Sequence, residues 1–426
     1  MGFYVERIII KNRAPFDSID LKFNDKSISV LTALNGKGKT TILSYIMDAW
    51  VEITRKAYPN SYKGKENDYY RISSSSFDID ISSPSIVYIR FNNNGANLDY
   101  ADIRGVKNRE WYESAILLEN RIPFERMQSA LNDAASAKVL SEKLSKKETG
   151  TSIFSNNIIT YFPAYRFELP SYLNEEYKKD VQHQIESEYS GYLTNPLEVK
   201  SSIKNIANWI MDVVLDQEVN TDEITQPDGT RQKIYPPELG IWKNVNGVLK
   251  YSLMSKFPKK NVRYGIGRRS NSGSRLSIME IGQGGDKQYC PTVFNLSSGE
   301  LSVISIFSEI LRQGDRVFGM KPQGQFTGVV LIDEVDKHLH IQLQKEVLPS
   351  LFTLFPNIQF IISSHSPFLN MGLAEVAETR TTIFDLDNKG IVSSPFTNEI
   401  YQSTYEMFLN DKNRYAQGKK ILDFAK

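Results

Sequence analysis

The chain has 426 residues, with 51 Lys and Arg against 50 Asp and Glu and a formal net charge of +1. That length supports about two or three domain-sized units with an ample core, and the neutral balance excludes a global basic field for nucleic acid. Cys290 is the only cysteine, so no intrachain disulfide can form, which fits a reducing cytoplasm; no apolar run approaches the ~20 residues of a membrane span, and Met1-Gly2-Phe3-Tyr4-Val5-Glu6 reads as neither a signal peptide nor a myristoylation site.

Residues 4–11 and 19–24 alternate apolar and polar positions and predict strands. Apolar Ile28 to Leu31 predict a further strand, which enters the loop Ala33-Leu34-Asn35-Gly36-Lys37-Gly38-Lys39-Thr40-Thr41. Thr40 to Trp50 leave it as a helix with Ile42, Leu43 and Ile46 as apolar positions. Such a loop turns consecutive N–H groups inward, and these, with the positive end of the helix, hold a β-phosphate. Lys39 is placed to reach the β- and γ-phosphates of ATP and Thr40 to ligate Mg²⁺. Ala33 replaces the first glycine of the usual G-x-x-x-x-G-K-[ST] pattern, so a positive φ there would be strained.

Residues 60–150 are polar and interrupted, with a strand expected near Ser85 to Phe91 and an exposed charged helix over Ser141 to Lys147. Ile158 to Phe162 predict a core strand. From 171 to about 255 the chain reads as mostly helical, with Val199, Ile203, Ile206, Ile210 and Val213 forming a stripe for packing, first as core and second as a subunit contact. From Ser255 to Ile278 the basic residues Lys256, Lys259, Lys260, Arg263, Arg268, Arg269 and Arg275 occur without an acidic one. That run reads as a solvated hairpin around Arg268–Ser274, or as a surface for a phosphate backbone or an acidic protein that imitates one.

Three further segments carry chemistry. Leu296-Ser297-Ser298-Gly299-Glu300 precedes an amphipathic helix, and its N-terminus offers another anion site; a plain N-cap with Glu300 as capping partner is the simpler use. Val329 to Ile332 predict a buried parallel strand that ends in Asp333-Glu334. Asp333 is placed to hold Mg²⁺ and Glu334 to activate water. Ser363-Ser364-His365-Ser366 ends another apolar run. Asp387-Asn388-Lys389-Gly390 reads as a hairpin turn.

The ordered set resembles the ABC ATPase class, in which the phosphate loop of one protomer and the signature of another sandwich ATP. The stretches Ile332 to His340 and Phe360 to Pro367 are similar to the OLD- and RecF-like branch, with Val335 and Ile341 where that branch usually has prolines. The resemblance implies that Asn35, Gly36, Lys37, Gly38, Lys39, Thr40 and Thr41 cradle the phosphates. It implies that Ser297, Ser298, Gly299 and Glu300 act in trans, that Thr40 and Asp333 bind Mg²⁺, and that His365 contacts the γ-phosphate. Tyr161-Phe162-Pro163-Ala164-Tyr165-Arg166 resembles the branch's Y-x-P-x-x-R loop.

The implied fold is α/β, a two-lobed ABC ATPase head with a mixed central sheet and a helical insertion. Its expected parts are an N-terminal lobe over 1–170 containing the polar insertion at about 60–150, the helical insertion over 171–255, and a C-terminal lobe over 256–426. The Toprim nuclease domain of OLD nucleases is not expected here. Asp385-Leu386-Asp387 mimics its D-x-D but lies in the expected hairpin. The chain thus resembles the ATPases of two-gene anti-phage defence systems, among them the AriA family of the PARIS system and the Septu type. The AriA resemblance implies a cytoplasmic homo-oligomer that holds a separately encoded AriB-like Toprim nuclease and releases it on meeting a phage trigger protein. A DNA-binding repair ATPase of the RecF or OLD type is the alternative.

Overall fold

The computed structural model describes residues 2–62, 70–72, 78–132, 134–166, 191–219, 222–225, 231–234, 240–259, 261–268, 275–282, 285–319, 321–387 and 390–392. In chain order the strands are β1 (Phe3–Arg13), β2 (Phe16–Lys22), β3 (Ile28–Thr32), β4 (Ser85–Asn93), β5 (Ala96–Arg104), β6 (Ser136–Leu140), β7 (Ile158–Phe162), β8 (Asp222–Thr225), β9 (Arg231–Ile234), β10 (Val262–Ile266), β11 (Leu276–Glu280), β12 (Lys287–Cys290), β13 (Gly328–Ile332), β14 (Ile358–Ser364), β15 (Thr381–Asp385) and β16 (Gly390–Val392). The helices are α1 (Lys39–Ala57), α2 (Arg109–Ala115), α3 (Phe124–Leu131), α4 (Lys147–Asn156), α5 (Ile203–Val219), α6 (Gly240–Ser252), α7 (Ser298–Phe318), α8 (Leu348–Thr353) and α9 (Pro367–Ala377).

The central sheet has the order β16-β15-β3-β14-β13-β7. Every pairing in it is parallel except β15 with β16. Its strands β3, β13, β14 and β7 are buried along their whole length. That explains their continuous apolar runs, since a parallel sheet is covered on both faces. Ile28, Val30, Val330 and Ile332 join one core with α5, α6, α7, α8 and α9. Leu31, Val329 and Leu331 point the other way, into a second core with α1 and the antiparallel sheet. Each such side chain stabilises the fold by about 1.5–3 kcal/mol. Gly328 lets β13 approach β7: a Cβ there would lie 1.9 Å from the Ile158 carbonyl oxygen.

The second sheet is antiparallel, in the order β2-β1-β4-β5-β6. In β2, Phe16, Ile19 and Leu21 are buried while Asp17, Ser18 and Asp20 face solvent, the alternation of a sheet with one wet face. Strands β4, β5 and β6 come from the polar stretch near 60–150, so that stretch completes the sheet begun by β1 and β2. The residues before Lys147 form a turn, and the helix expected over Ser141 to Lys147 begins only there, as α4. Between 171 and 255 the described chain holds α5 and α6 with the β8–β9 hairpin between them; residues 167–190 lie outside the described part. The stripe Val199, Ile203, Ile206, Ile210 and Val213 is buried. Its helix is fixed to α7 by Ser202 Oγ donating to the Ser305 carbonyl at 3.4 Å and by Trp209 Nε1 donating to Asp315 at 3.0 Å. It serves as core within the chain.

Candidate nucleotide site

The site forms where β3, β14, β13 and β7 end, the crevice at which open α/β sheets bind ligands. Gly36 and Gly38 have φ of 79° and 90°, values that favour glycine. Gly38 is the N-cap of α1. Ala33 is buried and absent from the positive-φ residues, so the replacement of the first glycine carries no backbone strain. Asn35, Gly36 and Lys37 are exposed at the tip of the loop. Lys39 is 7% exposed, and its Nζ donates to the carbonyls of Ala33 at 2.9 Å and Leu34 at 3.1 Å. Burial lowers its pKa, against the pull of Asp333, Asp387, Glu334 and Asp336. A partly desolvated ammonium folded back on its own loop would find a stronger partner in a phosphate.

Thr40 Oγ1 donates to Asp333 Oδ2 at 2.8 Å, which joins the loop to the acidic strand end. Ser363 Oγ donates to the other oxygen, Oδ1, and accepts the Glu334 N–H at 2.7 Å. Glu334 has a φ of 46°, the left-handed region, which costs a non-glycine residue about 1–2 kcal/mol. Three bonds hold it there: the Ser363 hydroxyl on its N–H, Arg166 Nη2 on its carbonyl at 2.9 Å, and the Val335 N–H on the Ser363 carbonyl at 3.0 Å. Arg166 Nη1 also donates to the Asp333 carbonyl. Burial lowers the Arg166 pKa, while Asp333, Glu334 and Asp336 oppose that. Arg166, the last residue of the Y-x-P-x-x-R segment, thus clamps both acidic residues by their backbone. Lys337 Nζ ties the following turn to the Ala164 carbonyl at 2.7 Å.

His365 follows β14 and is exposed. Its N–H donates to Asp336 Oδ2 at 3.4 Å. Partial burial of the ring lowers the imidazole pKa, and the nearby Lys39 charge lowers it further against three carboxylates. An imidazole there can donate one hydrogen bond to a terminal phosphate. Thr41 is half-buried.

The signature segment has a double character. Ser297 caps α7 in a complete capping box with Glu300. Glu300 is buried, and its second oxygen pairs with Lys256 at 2.7 Å, so its carboxylate serves the helix start. Ser297 and Ser298 remain exposed, and Gly299 is buried. A Cβ at Gly299 would lie 3.1 Å from the His338 carbonyl oxygen, which places the segment against the turn that follows the acidic strand. The basic run is also less unopposed than its sequence suggests. Lys256 is neutralised by Glu300, and Arg263 Nε pairs with Asp286 at 2.6 Å. Lys260 and Arg269 lie outside the described residues.

The oxygen set of Thr40 and Asp333 fits Mg²⁺. Among the described residues no cluster of three or more His, Cys, Asp or Glu could form a metal cage, and Mg²⁺ at phosphates typically takes one or two carboxylates with substrate oxygens and water. Two residues that join this crevice were given no role in it from the sequence. Ser363 is a small hydroxyl at a strand end, and only the pairing of β14 with β13 sets it beside Asp333. Asp387 was read as part of a D-x-D likeness within an expected hairpin turn; its Oδ2 accepts the Leu34 N–H at 2.8 Å.

Among the described residues no helix is long and apolar enough to cross a membrane. The family described as "AAA domain, putative AbiEii toxin, Type IV TA system" matches residues 34–372. "Retron Vc95 probable ATPase" of Vibrio cholerae serotype O1 biovar El Tor is 38% identical over 112 residues, 25% of this chain and 21% of that protein. "Septu protein PtuA" of Bacillus mycoides (strain KBAB4) is 34% identical over 84 residues, 19% of this chain and 11% of that protein. The matches thus span only a small part of the length of these curated relatives. Among solved structures, an SMC head bound to the C-winged helix domain of ScpA has 14% identity and a TM-score of 0.42, covering 90% of this chain and 94% of that one.

Proposed function

We propose, from the premise that the chain belongs to this AAA-domain family, that it binds and hydrolyses ATP at a site completed by a second copy. The observation that carries the reading is the 2.8 Å bond from Thr40 to Asp333. It joins a phosphate loop to an acidic strand end at one crevice, the pairing that phosphoryl transfer needs. The loop amides and Lys39 hold the triphosphate, and Thr40 and Asp333 hold Mg²⁺. When bound, the metal neutralises charge on the transferring phosphate. Glu334 orients water for in-line attack and accepts its proton. His365 donates to the γ-phosphate. Ser298 and the exposed start of α7 reach the same phosphate from the partner copy.

The biological reading is a defence ATPase. Relatives named for retron and Septu systems support it. In this reading the ATP-closed assembly holds a separately encoded Toprim nuclease, in the manner of AriA and AriB, and a phage trigger protein releases it. Glu334→Gln tests the chemistry. The variant should bind ATP and Mg²⁺ like the parent, stall turnover, and accumulate ATP-bound oligomers, because an unconsumed ligand stabilises the closed form. Normal phosphate release by that variant would overturn the assignment of Glu334. Turnover that rises strongly with DNA, and not with a trigger protein, would favour a repair ATPase.

A further inference from the structure

The phosphate loop is held from two sides. On one side the β1–β2 turn presses on it: a Cβ at Gly38 would lie 2.3 Å from Phe16 Cζ and 2.9 Å from Pro15 Cγ. On the other side stands Asp387, from a distant part of the chain. Strand β15 runs parallel to β3, with Asp385 opposite Thr32. The Leu386 N–H continues that register by donating to the Thr32 carbonyl at 3.0 Å. The next residue delivers its carboxylate to the loop. Asp387 Oδ2 accepts the Leu34 N–H at 2.8 Å, Oδ1 lies 3.7 Å from Lys37 Nζ, and the Asp387 N–H is tied to Asp385 Oδ1 at 3.0 Å.

The Leu34 residue is therefore held at both ends, its N–H by Asp387 and its carbonyl by Lys39. The second tie is temporary. An ammonium that turns to a triphosphate must leave the Ala33 and Leu34 carbonyls. The Asp387 bond then remains to hold the start of the loop while its inward amides bind phosphate. Holding a loop in its binding shape raises affinity by cutting the cost of ordering it.

We propose that Asp387 is a positioning residue of the phosphate loop, through which the β15–β16 hairpin sets the affinity for ATP. The assignment rests on the ATP reading above. Asp387 is an anion and is unsuited to touch phosphate itself, so its effect belongs in binding and not in the chemical step.

The test compares the full chain with Asp387→Ala and Asp387→Asn, using a fluorescent non-hydrolysable ATP analogue with Mg²⁺, steady-state turnover, and hydrogen exchange without nucleotide. Asp387→Ala should weaken analogue binding about 3- to 10-fold, the worth of one backbone hydrogen bond. KM should rise with it, and kcat at saturating ATP should hold. Asp387→Asn keeps an acceptor oxygen and should bind within about twofold of the parent. Without nucleotide, amides around Leu34 should exchange faster in Asp387→Ala only. Equal Kd values for the Ala variant and the parent, or a loss in kcat at constant KM, would overturn the proposal. A parent that binds no analogue would overturn the ATP reading, and unchanged exchange at Leu34 would then overturn the Asp387 assignment on its own terms.

Discussion

Ser363→Ala removes one oxygen from the interior of the site. Ser363 and Asp333 are both fully buried. The lost hydroxyl leaves the Glu334 N–H without its acceptor at 2.7 Å and takes a donor from Asp333, whose other oxygen keeps Thr40. An unsatisfied buried donor costs about 1–3 kcal/mol, and a lost bond to a charged group about 1.5–3. The two depend on one atom and overlap, so the expected destabilisation is about 2–4 kcal/mol. Turnover should suffer as well. Glu334 sits at a φ of 46°, and with its N–H released the backbone can relax out of the left-handed region and carry the carboxylate away from attacking water. A displacement of that kind costs up to ~10²-fold in rate. Urea denaturation would read the stability change, and phosphate release the turnover. ATP affinity should change less than about threefold, because the loop amides and Lys39 are untouched. A variant that matched the parent in both unfolding midpoint and kcat would refute the view that Ser363 holds the acidic pair.

Lys39→Ala and Ser298→Glu should each abolish turnover. Mixed together they should recover part of it, since one protomer supplies the loop and the other the signature; proven mixed oligomers without recovery would count against a shared site. Ser298 serves better here than Gly299, where any side chain also meets the His338 carbonyl. Asp48 is 1% exposed, and burial raises its pKa to about 6 despite the Arg71 and Ile72 N–H groups it accepts. The folded state therefore binds the extra proton between the ordinary carboxylate range and pH 6. The associated stability is present at low pH and is lost as pH rises through about 6, amounting to about 3 kcal/mol for a shift of ~2 units. Asp48→Asn should accordingly be less stable than the parent at pH 4, for want of one acceptor, and gain on it by pH 7.5; a difference that did not change with pH would refute this.

The parts legible in the sequence were those whose physics is local. A glycine-rich turn between a strand and a helix announces the phosphate loop, and a continuous apolar run ending in Asp333-Glu334 announces a buried parallel strand. The stripe from Ile203 to Val213 gave its own helix period, whereas Val199 lies before the helix and its N–H donates to the Tyr161 carbonyl. What stayed hidden depends on which segments meet. Ser363 looks like any strand-end serine until β14 is set beside β13. Arg166 acts on backbone carbonyls, which leave no mark in side-chain patterns. Lys256 read as unopposed because its partner Glu300 lies beyond the run in sequence. The antiparallel sheet was hardest, since β4, β5 and β6 lie in a polar stretch whose pairing with β1 nothing local specifies.

Strand β3, which carries the phosphate loop, lies between β14 and β15. Both neighbours are made long after it as the chain emerges from the ribosome. Until residue 364 has appeared, β3 has no partner in its own sheet, and its apolar residues depend on the N-terminal sheet, on α1, or on a chaperone for cover. Parallel pairing over such separations is slow to nucleate. The nucleotide site is therefore among the last features to assemble, and a chain broken off before β14 cannot form it.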